Sequence, residues 1–258
     1  MALIGLKYLA WAPIATEPTN SVPTYSAGRV LGKMISSNLA ITNSEGKLFA
    51  DDALAEYISE FSSAVFTAET DNIRLQDQAA LYGATYENDE LQHETDDNAP
   101  YGGYGGYQQL RVQNVQKFRA WFFAKGKASV PDETGATKGE SVSFGNQPLK
   151  VTISAPNFGP WKRVKEFDTE AAAKAYIDSK LGVVAWHNID VQVNGAGVGE
   201  SAAPAGVTPV ANAGSFELVI TGTVTALYDN GAEVSGSIAN GKYALSNVVA
   251  DHTISVIF

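Results

Sequence analysis

The sequence predicts a mainly β protein decorated by helix, followed by a small C-terminal β domain. Three observations predict it. Stretches in which apolar and polar residues alternate recur along the 258 residues, and only two segments show helical spacing. Turn-forming Gly and Asn separate the alternating stretches, and the 24 Gly, 11 Tyr and 11 Phe favour turns and sheets. With 45% hydrophobic and 18% charged residues, a buried core is available and global disorder is excluded.

The elements follow in chain order. Ile35, Leu39 and Ile41 share one face opposite Ser36, Asn38 and Thr42, which predicts a strand. Asn43-Ser44-Glu45-Gly46 predicts a turn, with residues 47–50 returning as a hairpin. Further strands are expected over residues 57–69, 110–115, 117–130, 141–144, 149–154 and 189–193. Phe118, Ala120 and Phe122 alternate with Arg119, Trp121 and Phe123, so both faces of that strand are bulky. It must be covered on both sides by core, helix or a neighbouring subunit.

A helix is expected over residues 71–82, where Ile73, Leu75, Ala79 and Tyr82 are helically spaced and Gly83 supplies a stop. A second runs over residues 170–181, capped by Asp168 or Thr169 and ended by Gly182. Ala173, Ile177 and Leu181 form its apolar stripe, and Glu170–Lys174 is spaced as an i,i+4 ion pair.

Between the helices, Glu87, Asp89, Glu90, Glu94, Asp96 and Asp97 crowd together ahead of Tyr101-Gly-Gly-Tyr104-Gly-Gly-Tyr107. So much charge and glycine predicts a mobile surface loop over residues 83–107, or a segment ordered by another chain. No Arg or Lys lies between Thr85 and Leu110, so the tyrosines suit protein contact better than base stacking.

Past residue 182 only Lys242 is basic. Residues 195–214 are rich in Gly, Ala and Pro and read as a flexible linker between a domain over 1–194 and a small one over 215–258. The small domain is expected to hold strands over 216–227, 233–238, 242–245 and 253–258, with turns at Asp229-Asn230-Gly231 and Asn240-Gly241. A core that short, without a disulfide, must borrow a neighbour's surface or recruit residues near 189–193.

The chemistry the sequence excludes is broad. With 18 basic against 28 acidic residues the net charge is −10, which argues against gripping nucleic acid through its phosphates. Zero cysteines remove disulfides, thiolate catalysis and cysteine metal sites. His93, His187 and His252 match no metal-binding spacing, and no metal or other cofactor is expected. Gly195-Ala-Gly197-Val-Gly199 leads to Pro204 and Pro209, not to the helix a phosphate loop needs. No catalytic constellation emerges, and no enzyme is expected; the weakest reading is a hydrolase using Asp96 or Asp97. The start lacks a basic leader and no stretch approaches a membrane span, so synthesis and folding in a cytoplasm without membrane insertion are expected.

Gly5-Leu6-Lys7-Tyr8-Leu9-Ala10-Trp11-Ala12-Pro13 resembles the opening of major tail proteins from long, non-contractile-tailed (siphovirus-type) phages. Similar in the same order are Pro23-Thr24-Tyr25, residues 48–56, Ala99-Pro100-Tyr101 with the glycines after it, residues 117–123, Glu133-Thr134 with residues 137–144, and Trp161 followed by residues 166–176. The resemblance spans residues 4–182.

It implies a structural subunit of the virion, with a β-sandwich or barrel-like core and a flanking α-helix. Six copies would close into a homohexameric ring, and rings would stack into a tail tube, the conduit for DNA ejection, assembled in the host cytoplasm. Implied partners are further copies of the chain, a tape measure protein in the lumen, and tail terminator and distal tail proteins at the ends, with DNA passing without specific binding. By the same resemblance, the loop over 83–107 and an arm over 1–29 bridge rings or subunits, with Leu6, Tyr8, Trp11, Tyr25, Tyr101, Tyr104, Tyr107 and Trp121 as intersubunit contacts. The hairpin near 35–50 would contribute to the lumen wall. The 215–258 domain is similar to the immunoglobulin-like add-ons of tail exteriors, where it would brush host surface polymers. The alternative is a β-sandwich adhesion module that recognises such polymers.

Overall fold

A computed structural model describes residues 2–51, 53–87, 89–132 and 146–258. The fold is mainly β, with two α-helices among the described residues. The strand expected over 141–144 lies outside the described residues. The chain divides into two compact units, Met1–Gly83 with Asp96–Val183, and Ala84–Thr95 with Val184–Phe258.

In chain order, the first stretch holds β1 (Ala2–Thr16), β2 (Thr24–Tyr25), β3 (Arg29–Gly32), β4 (Met34–Ala50), β5 (Ala53–Thr70) and α1 (Leu75–Tyr82). The short hairpin β6 (Thr85–Glu87) and β7 (Glu90–Gln92) belongs to the second unit. The first unit resumes with β8 (Tyr101–Val112), β9 (Val115–Ser129), β10 (Gln147–Ile153), β11 (Lys162–Phe167) and α2 (Glu170–Leu181). Its sheet runs β2-β1-β8-β9-β10-β5-β4, with β3 also on β1 and β11 also on β9.

The two-faced strand β9 organises this unit. Phe118, Ala120, Phe122 and Ala124 pack under the Ala173–Ile177–Leu181 stripe of α2, together with Ala10 and Ala12 of β1. On the other face, Trp121 and Phe123 join Leu9, Trp11 and Tyr104. Phe66 of β5 and Leu149, Val151 and Ile153 of β10 reach the same core from the far half of the sheet.

The glycine–tyrosine tract corrects the expectation of a mobile loop. It is β8, a central strand paired with β1 on one side and β9 on the other, and residues 102–107 are all buried. The glycines create the space. A Cβ on Gly105 would lie 2.9 Å from Ile177 of α2, and one on Gly106 would lie 2.6 Å from the Trp121 ring. Without side chains there, the helix and the aromatic core approach the strand from opposite faces. The acidic part of the expected loop is only partly a loop, because Thr85–Glu87 and Glu90–Gln92 pair as a hairpin.

The N-terminal residues are likewise no free arm. β1 is an inner strand of the sheet, and Leu9, Ala10, Trp11 and Ala12 are buried. The turn expected at residues 43–46 is absent as well: β4 runs straight through it, and the chain turns at Asp51, whose φ is 48°. Gly46 sits opposite Ile58 in a hairpin whose pairing continues to Ala50↔Ala53.

The helices follow their signals with one shift. Thr169 caps α2 by accepting the Ala172 N–H at 3.2 Å, and Gly182 ends it at φ 57°. α1 starts later than expected, at Leu75. Asp71 is occupied instead with the backbone N–H groups of Lys33 and Asn72, each at 2.8 Å. Gly83 ends α1 at φ 74°. Inside this corner, Asp77 of α1 accepts from Arg29 at 3.0 Å and Arg74 at 2.9 Å, and Arg29 and Asp77 are both buried.

The second unit adds β12 (Trp186–Asn194), β13 (Ser201–Ala203), β14 (Gly206–Ala211), β15 (Gly214–Thr221), β16 (Ala226–Asp229) and β17 (Ala232–Glu233). A 3-10 turn at Ser235–Ser237 precedes β18 (Lys242–Val248) and β19 (His252–Ile257). Two sheets result, β14-β12-β19-β16-β17 and β13-β15-β18. Inward residues of both, among them Ile189, Val191, Leu218, Leu227, Tyr243, Ile254 and Val256, form one core.

Residues 195–214, expected as a linker, therefore carry β13 and β14, and the unit begins at Val184 instead of 215. The physical reason is the shortage of apolar surface. β12 pairs in parallel with β19, so Ile189 and Val191 complete a core that residues 215–258 could not fill. The single strand expected over 216–227 is broken at Gly222, φ 105°, into β15 and β16. That expected over 233–238 is the two-residue β17 and the 3-10 turn. A polar clasp joins the sheets: Tyr243 donates to Asp229 at 2.9 Å, and His252 Nδ1 lies 2.8 Å from the same carboxylate.

Candidate functional site

Among the described residues, the longest open strand edge of the first unit is that of β4. β4 ends the sheet, and no described strand pairs with its outer side along 17 residues. Its inner partner β5 is supported by β10 only over Ala64–Thr70. Phe61 is the last anchored side chain of the hairpin, stacked on Trp161 at 4.0 Å. Beyond it, residues 44–50 and 53–60 form a two-stranded ribbon paired only with itself among the described residues.

Such a ribbon needs a neighbour. Two strands do not make an independently stable sheet in water. This one exposes Leu48 (58%), Phe49 (66%), Leu54, Tyr57 and Ile58. Cross-strand partners share a face. The pair Lys47↔Tyr57 therefore lies on one side and the pairs Leu48↔Glu56 and Gly46↔Ile58 on the other, so apolar groups project from both. The ribbon is also acidic, carrying Glu45, Asp51, Glu56 and Glu60 against Lys47.

A second feature lies at the opposite end of β4. Leu6, Val30, Leu31 and Met34 line a groove of about 810 Å³, and Lys7, Lys33 and Arg74 stand around it. Bulges in β1 at Gly5 (φ 79°) and Tyr8 (φ 64°) shape this wall. The bulges bring Lys7 and Tyr8 onto α2. The Lys7 ammonium lies 2.9 Å from Glu170, Tyr8 donates to Asp178, and Tyr107 donates to Glu170 at 2.8 Å. The expected Glu170–Lys174 pair is replaced, since Lys174 binds Asp178 at 2.7 Å. Burial, then the neighbouring carboxylates, pushes the Tyr8 and Tyr107 hydroxyl pKa values up.

The hydrogen bonds from Lys7 and Tyr107 hold the Glu170 carboxyl below its ordinary 4.5. A carboxylate pKa depressed by folding stabilises the fold above the unfolded value, and that contribution is lost as pH falls through the folded value. Glu170→Gln is therefore expected to lower Tm at neutral pH. In melts at stepped pH, the gap to the unaltered protein should narrow steadily below pH 4.5.

The eight expected contact residues divide. Tyr101 is exposed, and Leu6, Tyr8 and Tyr25 are half-buried, Leu6 and Tyr8 at the groove and Tyr25 donating to the Ala124 carbonyl at 2.7 Å. Trp11, Tyr104, Tyr107 and Trp121 are buried within the first unit, although Tyr107 also reaches the wall of the groove. The ribbon residues Leu48, Phe49, Leu54, Tyr57 and Ile58 were not expected as contacts. Their signal was available: apolar side chains at both parities of one strand pattern mean a strand covered on both faces. Among the described residues no group of three His, Asp or Glu side chains is placed to hold a metal ion. Compared with models of known protein families the sequence matches none, and it matches no curated protein.

Proposed function

We propose that the chain is the repeating subunit of a tail tube, closing as homohexameric rings that stack into a conduit for DNA. The observation that carries this reading is the open edge of β4 continuing into a ribbon with apolar groups on both faces. Left exposed, such an edge templates uncontrolled aggregation. Pairing between copies satisfies its backbone groups and covers the apolar side chains, and a closed ring leaves no edge over. The order of family-like stretches over residues 4–182 supports the same reading, and a net charge of −10 suits a wall that DNA must pass without sticking.

On this reading the first unit is the tail-tube-type sandwich or barrel, and the second is an immunoglobulin-like decoration that meets host surface polymers. A tape measure protein fills the lumen, terminator and distal tail proteins cap the ends, and the assembled chain resides in the virion. Electron microscopy of purified protein at rising concentration tests it. Rings of six subunits and hollow stacks of them are expected; a lone globule at every concentration would end the proposal.

A further inference from the structure

Asn-Gly occurs three times in the sequence, at residues 194–195, 230–231 and 240–241, and all three lie in the second unit. The dipeptide is reactive, because glycine has no side chain to keep its backbone nitrogen away from the preceding amide. All six residues are exposed, so access to water does not distinguish the three pairs. What differs is how each asparagine is held.

Asn230 is tied down by its side chain. Its Oδ1 accepts the Thr253 N–H at 2.8 Å, and its Nδ2 donates to the Asp251 carbonyl at 3.3 Å. Asn194 is held through side chain and backbone. Its Nδ2 donates to Ser255 at 3.2 Å, and its carbonyl, part of the peptide joining it to Gly195, accepts the Phe258 N–H at 3.1 Å. Asn240 has neither restraint. Among the described residues no hydrogen bond reaches its side chain, and none uses the peptide that joins it to Gly241.

The turn at Asn240 also supplies the motion a reaction needs. Asn240 (φ 52°) and Gly241 (φ 72°) are the centre of a two-residue hairpin closed by Ala239 and Lys242, which exchange hydrogen bonds of 2.9 and 3.0 Å. Positive φ at both central residues is the type I′ turn. Flipping the single peptide between them gives type II′, the other common hairpin turn, and leaves the closing pair intact. In that form the first central residue has ψ of about −120°. The Gly241 nitrogen then eclipses the Asn240 Cβ and stands next to the side-chain carbonyl carbon.

We infer that Asn240 is a site of spontaneous deamidation, the one of the three Asn-Gly pairs that reacts in the folded protein. The Gly241 nitrogen attacks Cγ of Asn240 and closes a five-membered succinimide. The bond from Cγ to Nδ2 breaks, and ammonia leaves with the proton that Gly241 gives up. Water then opens the imide at either carbonyl, giving aspartate or isoaspartate; no oxidant or reductant takes part. Both products add a negative charge, and isoaspartate puts an extra backbone atom into the turn that leads to β18.

The test incubates the folded full chain in mildly alkaline buffer and follows peptides covering the three pairs by mass spectrometry, with enzymatic methylation of isoaspartate as a second readout. Conversion at Asn240 is expected to run about tenfold or more ahead of Asn230 and Asn194, whose hydrogen bonds must break first. In guanidinium chloride those restraints vanish, and the three rates should converge. Asn240→Gln, with native circular dichroism, should lose the fast signal and leave the two slow ones unchanged. Conversion at Asn230 or Asn194 that matches Asn240 in the folded chain would overturn the assignment. So would an Asn240 that stays intact when folded while the denatured chain converts, or a ranking that persists in denaturant and therefore belongs to the flanking sequence.

Discussion

Replacing Asp77 by alanine is expected to destabilise the first unit by about 3–5 kcal/mol, the cost of taking the carboxylate away from a buried guanidinium. Asp77 sits on α1 and is 2% exposed, and Arg29 on β3 is 8% exposed. Burial lowers the Arg29 pKa, and the hydrogen bond and charge of Asp77 oppose that shift; the guanidinium stays charged, and this carboxylate is its buried counter-charge. Arg74, the second partner at 2.9 Å, has a half-exposed side chain and recovers water when Asp77 is removed. The loss therefore falls mainly on Arg29. Urea unfolding of Asp77→Ala should show a lower midpoint with an unchanged slope. A companion double variant, Arg29→Leu with Asp77→Leu, separates charge from packing. Taking out both charges removes the desolvation penalty along with the attraction, so the double variant should lose much less than Asp77→Ala. A double variant as unstable as the single one would show that the corner needs the shape of these side chains more than their charges.

The parts of this fold that were legible in the sequence are those whose signals are local. α2 was readable because Thr169, Gly182 and the Ala173–Ile177–Leu181 stripe all lie within one short segment and agree. The double burial of β9 was readable for the same reason: bulky residues at both parities admit no solvent face. The glycine–tyrosine tract was not readable. A strand of glycines is stable only when a helix and an aromatic core lie close above and below it, and Ile177 and Trp121 come from segments distant in the chain. The turn at residues 43–46 failed in the opposite way. Asn-Ser-Glu-Gly has the local chemistry of a turn, but the long register of β4 on β5 outweighs it and moves the reversal to Asp51.

The candidate site shows the same division. Tyr101, Leu6 and Tyr8 remain accessible, yet the ribbon, whose apolar residues at both parities were legible, could be read as an exposed surface only from its length and its lack of a supporting strand. Aromatic residues drew attention to surface contact, while the structure uses four of those rings, Trp11, Tyr104, Tyr107 and Trp121, to fill its core. Most of the tyrosines and tryptophans that look sticky in the sequence hold the first unit together, and the leucines, phenylalanine and isoleucine of a plain hairpin face outward.

Trp121→Ala puts a value on that reversal. The ring is 7% exposed and lies 5.0 Å, centroid to centroid, from both Phe66 and Phe123. It also fills the space that Gly106 leaves open on β8. Removing a buried tryptophan costs about 3–5 kcal/mol through lost burial and the cavity that remains. A tryptophan reserved for contact between subunits would behave differently, leaving the isolated subunit within about 0.5 kcal/mol of its original stability and weakening only assembly. The measurement should therefore be made on a chain that stays monomeric, with Phe49→Asp as the background. Phe49 is in the ribbon, outside the core that holds Trp121, so the two changes should act additively. A large drop in the urea midpoint of this monomer is the expected result. An unchanged midpoint, together with lost assembly when Trp121→Ala is placed in the unaltered chain, would move the ring from the core to the interface and reopen the arrangement of β9.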